Sequence, residues 1–248
     1  MALLEVKNLV KDFGGLRAND GISFQLAPGE LLGLIGPNGA GKTTLFNCIA
    51  GKHPVTSGQI VFDGEDITAL KAPEVARRGL ARTFQVYAAS GDLTVRENVM
   101  VGCFMRTPSR RIAGEKADTI LADLNLTAAA DKYVSELPVA AQKKVTMATA
   151  LGTRPKLLLL DEVAAGLNPG EIEEIMASIR HIHHQLGVTV ILIEHVMELV
   201  MRTSDRLIVL DYGRKIAEGL PDDIARNPQV IKAYLGDRYV KEHGGEVG

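Results

Sequence analysis

The predicted strands of this chain are marked by one alternating segment and by several short apolar runs. Ile22, Phe24 and Leu26 alternate with other residues, which is the spacing of a half-buried strand. Residues 60–62 lead into Asp63 and Gly64, a pair that favours a hairpin turn. Continuous apolar runs, which are typical of strands buried on both faces of a parallel sheet, occupy residues 31–35, 157–160, 188–193 and 207–210.

Helical patterns separate the predicted strands in the first and last thirds of the chain. Residues 42–50 predict a helix that ends at Gly51. Asn168 and Pro169 predict the start of a helix that reaches residue 186. This alternation of strands and helices predicts an α/β protein, with a mostly parallel sheet and helices on its faces.

The middle of the chain has a different pattern. Residues 94–153 are rich in alanine and helix-like throughout. Thr94 and Glu97 have the spacing of a capping box, which predicts a helix start at that point. We therefore expect a helical insertion that interrupts the α/β core.

Composition narrows the class of protein without deciding it. Of 248 residues, 46% are hydrophobic and 23% are charged, as in a folded globular protein. A net charge of −2 provides no basic field, so we expect no nucleic-acid partner. The apolar runs are far shorter than the ~20 residues that span a bilayer, and the first residues lack a signal-peptide core. We expect a cytoplasmic protein without a transmembrane segment of its own.

Residues 36–43, GPNGAGKT, match the phosphate-loop pattern G-x-x-x-x-G-K-[ST] between a predicted strand and a predicted helix. Glycines let backbone N–H groups turn toward phosphate oxygens, and the helix N-terminus directs its positive dipole end at the same anion. We expect Lys42 to reach the terminal phosphates and the Thr43 hydroxyl to bind Mg²⁺. The residues expected to bind the nucleotide here are Asn38, Gly39, Ala40, Gly41, Lys42, Thr43 and Thr44.

An acidic pair follows the apolar run at residues 157–160. Asp161, at the end of a predicted buried strand, can hold the hydration shell of Mg²⁺, and Glu162 can orient or deprotonate an attacking water. Beside a phosphate loop, this pair favours nucleotide hydrolysis over a solvated strand end. The chain contains no N-K-x-D or T-K-x-D stretch, which reads guanine in GTPases, so we expect ATP.

This arrangement resembles the ATPase subunits of ABC transporters over nearly the whole chain. The resemblance implies a P-loop NTPase core with a mostly parallel sheet and helices on both faces. It further implies an N-terminal antiparallel β part and a helical insertion. It predicts a single ABC ATPase domain over residues 1–248, with a core at about 1–85 and 155–248 and a helical subdomain at about 86–154.

The resemblance also implies roles for individual residues. Gln85, in RTFQ, corresponds to the Q-loop glutamine, which touches Mg²⁺ and the water and senses the membrane partner. His195, in VILIEH, corresponds to the switch histidine that contacts the γ-phosphate. Phe13, in KDFGGL, corresponds to the aromatic that stacks on adenine, with a core phenylalanine as the alternative. The implied catalytic residues are Glu162, His195 and Gln85, and the implied metal ligands are Thr43, Gln85 and Asp161.

The segments FGGL, ARTFQ, DEVAAGLNP and VIKAYLG are similar to ATPases of branched-chain amino acid importers and their relatives. This resemblance implies a subunit that hydrolyses ATP on the inner face of the cell membrane. It would be bound to separate permease subunits and paired with a second ABC ATPase, identical or different. The solute stays open, because relatives carry urea, amides or aromatic acids. The alternatives are an ABC exporter ATPase and a cytosolic ABC-type switch with weak hydrolysis.

The family's signature, usually L-S-x-G-Q, reads LPVAAQ at residues 137–142. Pro138 stands where the family has serine, and Ala140 stands where it has glycine. In the family these residues complete the ATP site of the dimer partner. Pro138 lacks a hydroxyl and an N–H, and we expect the Cβ of Ala140 to hinder close approach. Residues 165–168, AGLN, replace the usual S-A-L-D.

Two further features are expected to be structural. His181, His183 and His184 lie close together on one predicted helix, and we expect a solvated face there in preference to a metal site. Cys48, on the helix after the phosphate loop, is expected to be a packing residue.

Overall fold

The structure is a computed structural model and describes residues 1–83 and 89–234. In the first described range the strands are β1 (Leu4–Phe13), β2 (Leu16–Leu26), β3 (Leu31–Ile35), β4 (Ser57–Phe62), β5 (Glu65–Asp66) and β6 (Leu80–Arg82). In the second they are β7 (Leu157–Asp161), β8 (Thr189–Ile193), β9 (Arg206–Asp211) and β10 (Arg214–Gly219). The four apolar runs therefore form strands, as the pattern predicted.

Helices occupy the three predicted stretches and also stretches for which none was predicted. They are α1 (Lys42–Ile49), α2 (Ala72–Arg77), α3 (Val95–Phe104), α4 (Arg110–Asp123), α5 (Val139–Gly152), α6 (Pro169–Arg180), α7 (Met197–Thr203) and α8 (Pro221–Ala225). Three of them, α3, α4 and α5, occupy the alanine-rich stretch between β6 and β7. Thr94 caps α3 and Asn168 caps α6, each with a glutamate three residues later that completes a capping box.

The strands form two sheets. The antiparallel sheet has the order β2-β1-β4-β5, and the other sheet has the order β10-β9-β3-β8-β7-β6. In the second sheet β10 pairs antiparallel to β9, and all the other pairings are parallel. Asp63 and Gly64 connect β4 to β5 with positive φ angles of 50° and 81°, as the predicted hairpin requires.

The larger sheet is covered on both faces. Leu158 and Leu160 of β7 pack into a cluster that includes side chains of α3, α4, α5 and α6. Leu157 and Leu159 point the other way, into a cluster with α1 and the antiparallel sheet. Alternate residues of one strand thus serve two cores, which explains why β7 is apolar at every position before Asp161.

Three parallel strands, β3, β7 and β8, end at the same edge of the larger sheet. Leu34 of β3 and Asp161 of β7 both lie opposite Ile193 of β8. Because parallel strands share their direction, the chain leaves all three at the same carboxyl edge, at Gly36, Glu162 and Glu194. Residues far apart in sequence therefore meet around the phosphate loop.

The helix after Pro169 differs from its prediction near its end. The α-helix ends at Arg180 and continues as a π-helical turn over His181–Gln185. The wider turn changes which side chains face inward. His183 is buried, with Nε2 3.4 Å from a carboxylate oxygen of Asp205, so the predicted solvated histidine face is wrong at this residue.

Within the two described ranges, no helix is long and apolar enough to cross a membrane. The division into a core and a helical subdomain stays a prediction. Its first boundary, near residues 85 and 86, lies outside the described residues.

Candidate nucleotide site

The phosphate loop leaves β3 at Gly36 and enters α1 at Lys42. Gly36 and Gly41 have φ angles of 148° and 95°. A Cβ at Gly36 would lie 2.1 Å from the carbonyl oxygen of Leu210, and one at Gly41 would lie 2.4 Å from that of Ala18. Glycine is therefore required at both positions by conformation and by space.

Lys42 lies inside its own loop. Its Nζ donates hydrogen bonds to the carbonyl oxygens of Gly36 at 2.6 Å and Pro37 at 3.0 Å. Burial lowers the pKa of Lys42, while the carboxylates of Glu162 and Asp161 oppose that shift. The ammonium group is thus held against two carbonyl oxygens at the start of its own loop.

Asp161 is held by an arginine that the sequence analysis passed over. Arg82, in the RTFQ segment, places Nη2 2.7 Å from Oδ2 of Asp161, and both side chains are buried. Nη1 of Arg82 also donates to Oδ1 of Asn47 at 2.5 Å. The ion pair fixes one carboxylate oxygen of Asp161 and leaves the other to a different partner.

The second oxygen of Asp161 tests whether the site suits Mg²⁺. Oδ1 is buried and has no hydrogen-bond partner among the described residues. Thr43 is exposed at the start of α1. A buried carboxylate oxygen and a hydroxyl are ligands of the type that Mg²⁺ prefers, so the residues fit the ion. Gln85, the third implied ligand, lies outside the described residues.

Glu162 and His195 are brought together from the ends of two neighbouring strands. Oε1 of Glu162 lies 3.0 Å from Nε2 of His195. Glu162 has a left-handed backbone, with φ of 51°, and its N–H donates to the carbonyl of Ile193 at 2.9 Å. A non-glycine residue in this conformation is strained, and such strain is concentrated at functional sites.

A cavity of about 570 Å³ joins the predicted site residues. Phe13 lies at its rim with 42% of its surface exposed, which excludes the alternative of a core phenylalanine. The Phe13 ring meets His53 edge-on at 5.5 Å between centroids and lies 4.6 Å from Nζ of Lys11. The cavity is lined by Phe13, Leu16, Arg17, Ala18, residues 38–44, Glu162, His195, Tyr212 and Gly213.

Leu16, Arg17 and Tyr212 line this cavity but were missed from the sequence. No local motif marks them, because they reach the site through the antiparallel sheet and the turn after β9.

The predicted packing role of Cys48 is confirmed. The residue is buried, and burial raises the pKa of its thiol to about 11.

Glu194 was also missed, although a charged residue directly after an apolar strand was a visible signal. It exposes only 1% of its surface, and a carboxylate oxygen accepts a hydrogen bond from the N–H of Ala164 at 2.7 Å. Burial raises the pKa of Glu194 to about 7. Nearby, Nζ of Lys143 donates to the carbonyl oxygen of Glu162 at 3.2 Å.

The signature segment forms the start of α5. Pro138 is the N-cap residue and makes no side-chain cap hydrogen bond. Ala140 exposes 5% of its surface, whereas Val139 exposes 39%. The expectation that the Cβ of Ala140 obstructs a partner is therefore wrong, because the helix turns that side chain toward the protein's own core. Val139 takes the exposed position.

A second cavity, of about 500 Å³, lies away from the phosphate loop and has a mostly apolar lining. It is bounded by residues of α2, β6, α3 and α5. Arg82 and Ala89 line it and flank the segment that contains Gln85. Val101 and Met105 of its lining are exposed.

A phosphate loop between a buried parallel strand and a helix, with an acidic pair at the end of a nearby strand, defines a P-loop nucleotide hydrolase. The family model described as "ABC transporter" matches residues 19–165, and the model described as "Branched-chain amino acid ATP-binding cassette transporter" matches residues 214–240. The chain belongs to the ABC transporter family and is an ATPase of that family.

Two similar proteins support this assignment over nearly the whole chain. The chain is 41% identical to the high-affinity branched-chain amino acid transport ATP-binding protein BraF of Pseudomonas aeruginosa, over 95% of this chain and 98% of that protein. It is 40% identical to the corresponding protein LivG of Escherichia coli K12, with the same coverage.

Solved structures agree with the fold. A nucleotide-free ATP-binding cassette from an ABC transporter superposes with a TM-score of 0.87 at 32% identity, covering 96% of this chain and 100% of that one. The ADP conformation of an ATP-binding cassette of an ABC transporter gives the same TM-score at 33% identity, with the same coverage.

Proposed function

We propose that this chain is the subunit that binds and hydrolyses ATP to power an importer of branched-chain amino acids or related small polar solutes. The observation that carries the proposal is the 3.0 Å contact of Glu162 with His195 in the same cavity as the phosphate loop. The identities of 41% and 40% to two transport ATP-binding proteins for branched-chain amino acids support the solute class.

In the proposed reaction the phosphate loop binds ATP and orients its terminal phosphate. Backbone N–H groups of residues 38–44 surround the phosphates, and Lys42 exchanges its carbonyl partners for phosphate oxygens. Glu162 accepts a proton from the attacking water, and His195 contacts the γ-phosphate while holding the Glu162 carboxylate in place. Phe13 offers its exposed ring to adenine.

Mg²⁺ would be held by the Thr43 hydroxyl and by Oδ1 of Asp161, directly or through water. When bound, it neutralises charge that develops on the phosphate oxygens. Arg82 keeps the Asp161 carboxylate in one orientation for this purpose. The roles of Gln85 at the metal, at the water and in sensing the membrane partner stay predictions.

We further propose that the chain acts at the inner face of the cell membrane, bound to permease subunits and paired with a second ABC ATPase. In such a pair, each ATP lies between one chain's phosphate loop and the other chain's signature. The apolar cavity beside Arg82 and Ala89 is the proposed permease contact. Two of its lining residues, Arg82 and Ala89, lie on either side of Gln85 in the sequence, and the family resemblance connects Gln85 to the membrane partner.

The test is purification of the tagged chain from detergent-solubilised membranes, with peptide identification, followed by reconstitution into vesicles. We expect permease subunits in the complex and ATP-dependent uptake of leucine, isoleucine or valine, with urea and short amides as comparison solutes. Val101→Glu should reduce permease recovery while leaving ATP binding by the isolated chain intact. Recovery of ribosomes or DNA in place of permeases would overturn the proposal.

A further inference from the structure

Glu194 is a buried carboxyl for which the proposed reaction has no role. It follows β8 directly and precedes the switch histidine His195. Its carboxylate accepts a hydrogen bond from the N–H of Ala164 at 2.7 Å and interacts with the backbone N–H of His195. Ala164 lies two residues after Glu162, at the beginning of segment 164–168.

Two charged groups from other elements act on Glu194. Lys143 belongs to α5, the helix whose N-terminus carries the altered signature, and its charge favours the ionised carboxylate. Glu162, at the end of β7, opposes ionisation. Lys143 also donates to the carbonyl oxygen of Glu162. Glu194 thus lies where α5 and the ends of β7 and β8 meet.

A carboxyl in such a place does not improve stability. Removing a charged group from water is unfavourable, and here burial raises its pKa to about 7. A neutral side chain of similar size would fit the same space without that penalty. A destabilising group beside a reaction site is typical of residues that serve function.

We propose that Glu194 is a positioning residue that joins the switch histidine His195 to segment 164–168 of the same chain. The inference rests on the proposed function and adds a coupling within that site. When His195 engages the γ-phosphate, the hydrogen bond from Ala164 makes segment 164–168 move with it. The Glu162 carboxylate, two residues before Ala164, then stays aligned with the water.

The test compares two neutral variants of similar size in the reconstituted transporter. Glu194→Gln keeps an oxygen that accepts from the Ala164 N–H, whereas Glu194→Met removes the acceptor and keeps the volume. We expect kcat to fall at least about 10-fold in Glu194→Met and less than about 3-fold in Glu194→Gln, as loss of one buried hydrogen bond implies. KM for ATP should stay within about twofold in both variants. Glu198→Ala, an exposed carboxylate in the same region, is the control and should match the wild type.

A second measurement separates positioning from a structural role. At pH 8 Glu194→Gln should not have a lower Tm than the wild type, because it removes a buried charge and keeps the acceptor for the Ala164 N–H. In Glu194→Met the lost hydrogen bond opposes the gain from removing the charge, so its Tm should stay near that of the wild type. Equal kcat values for the Gln and Met variants, or losses of kcat that accompany equal losses of Tm, would overturn the inference. A wild-type transporter without ATP hydrolysis would overturn the proposed function instead.

Discussion

The phosphate-loop side of this chain and its signature end differ in the side chains and N–H groups that each offers for contact with ATP. On the first side, Lys42, Glu162 and His195 are held in one cavity by hydrogen bonds. At the signature, Pro138 provides neither a hydroxyl nor an N–H, and the exposed neighbour is Val139. For the proposed pair, this difference predicts a chain that is complete for its own ATP and incomplete for the ATP of its partner.

This difference has a consequence for the proposed pair. If the partner carries an intact signature, the site built on this chain's Glu162 is the active one. The site that depends on this chain's Pro138 is then the weaker one. A pair of two identical chains would contain two weakened sites, so the protein alone is expected to be a poor ATPase.

The largest expected effect comes from removing the base on the complete side. Glu162→Gln should leave ATP binding intact and slow hydrolysis by about 100-fold or more, because only proton acceptance is lost. In the reconstituted transporter this variant should lose more turnover than the matching variant of the partner. Steady-state ATPase assays measure both.

The control for that experiment is Lys42→Ala, which should weaken MgATP binding itself through loss of a charge-assisted contact to phosphate. Equal losses from the glutamine variants of the two chains would contradict the asymmetry. Wild-type hydrolysis by Glu162→Gln in the assembled complex would contradict the assignment of the base.

The next effect is a gain of activity at the incomplete end. Pro138→Ser restores a hydroxyl and an N–H, which together are expected to contribute ~1–3 kcal/mol of phosphate contact. ATPase activity of the lone protein at high concentration should rise by roughly 5- to 150-fold if the contact forms only in the transition state. Ala140→Gly is the matched control. It should add little, because the Cβ is buried, and it should destabilise α5 by about 1 kcal/mol. An unchanged rate for Pro138→Ser would show that the signature is not the limiting part.

A third effect concerns Glu194, which lies between the two regions. Its folded-state pKa of about 7 exceeds its ordinary value of 4.5, so the folded protein binds this proton more tightly than the unfolded chain. The resulting stabilisation is present below pH 4.5 and is lost as pH rises through 7. Glu194→Gln should therefore gain stability relative to wild type between pH 5 and pH 8, by at most about 3 kcal/mol. Urea unfolding at both pH values measures the difference, and a pH-independent difference would refute the prediction.

The smallest expected effect is on ATP binding through Phe13, at the end of the phosphate-loop cavity where adenine is expected to lie. Phe13 provides a stacking face of about 1 kcal/mol, so Phe13→Ala should weaken ATP binding about fivefold, while Phe13→Tyr should not. Titration with a fluorescent ATP analogue would separate the two variants. Equal weakening by alanine and tyrosine would show that the ring does not stack on the base.

The sequence predicted β2, β3, β4, β7, β8 and β9, the phosphate loop and the acidic pair, because each depends on neighbours along the chain. Glycine at positions 36 and 41 and the apolar run before Asp161 are local signals with local causes. The fold class and the family also followed, since the spacing of such motifs is specific to a topology. The roles of the individual site residues stay predictions.

Other features depend on contacts between distant segments. The Arg82–Asp161 ion pair and the Glu194–Ala164 hydrogen bond form only after β6, β7 and β8 have been aligned in one sheet. The inward direction of the Ala140 side chain depends on how α5 is rotated about its axis. The burial of His183 depends on a π-helical turn. Neither has a signal in local composition.

The self-contained hydrogen bonding of Lys42 bears on the speed of nucleotide exchange. Lys42 already forms hydrogen bonds with two carbonyl oxygens of the loop, so the shape of the loop is set before ATP binds. Association then requires exchange of two carbonyl partners rather than ordering of a flexible segment, so little conformational entropy is lost on binding. After hydrolysis we expect Lys42 to return to the same two carbonyl oxygens, so that the loop needs no refolding before the next ATP binds. We therefore expect movements around the loop, rather than rearrangement of the loop itself, to limit the rate of the catalytic cycle.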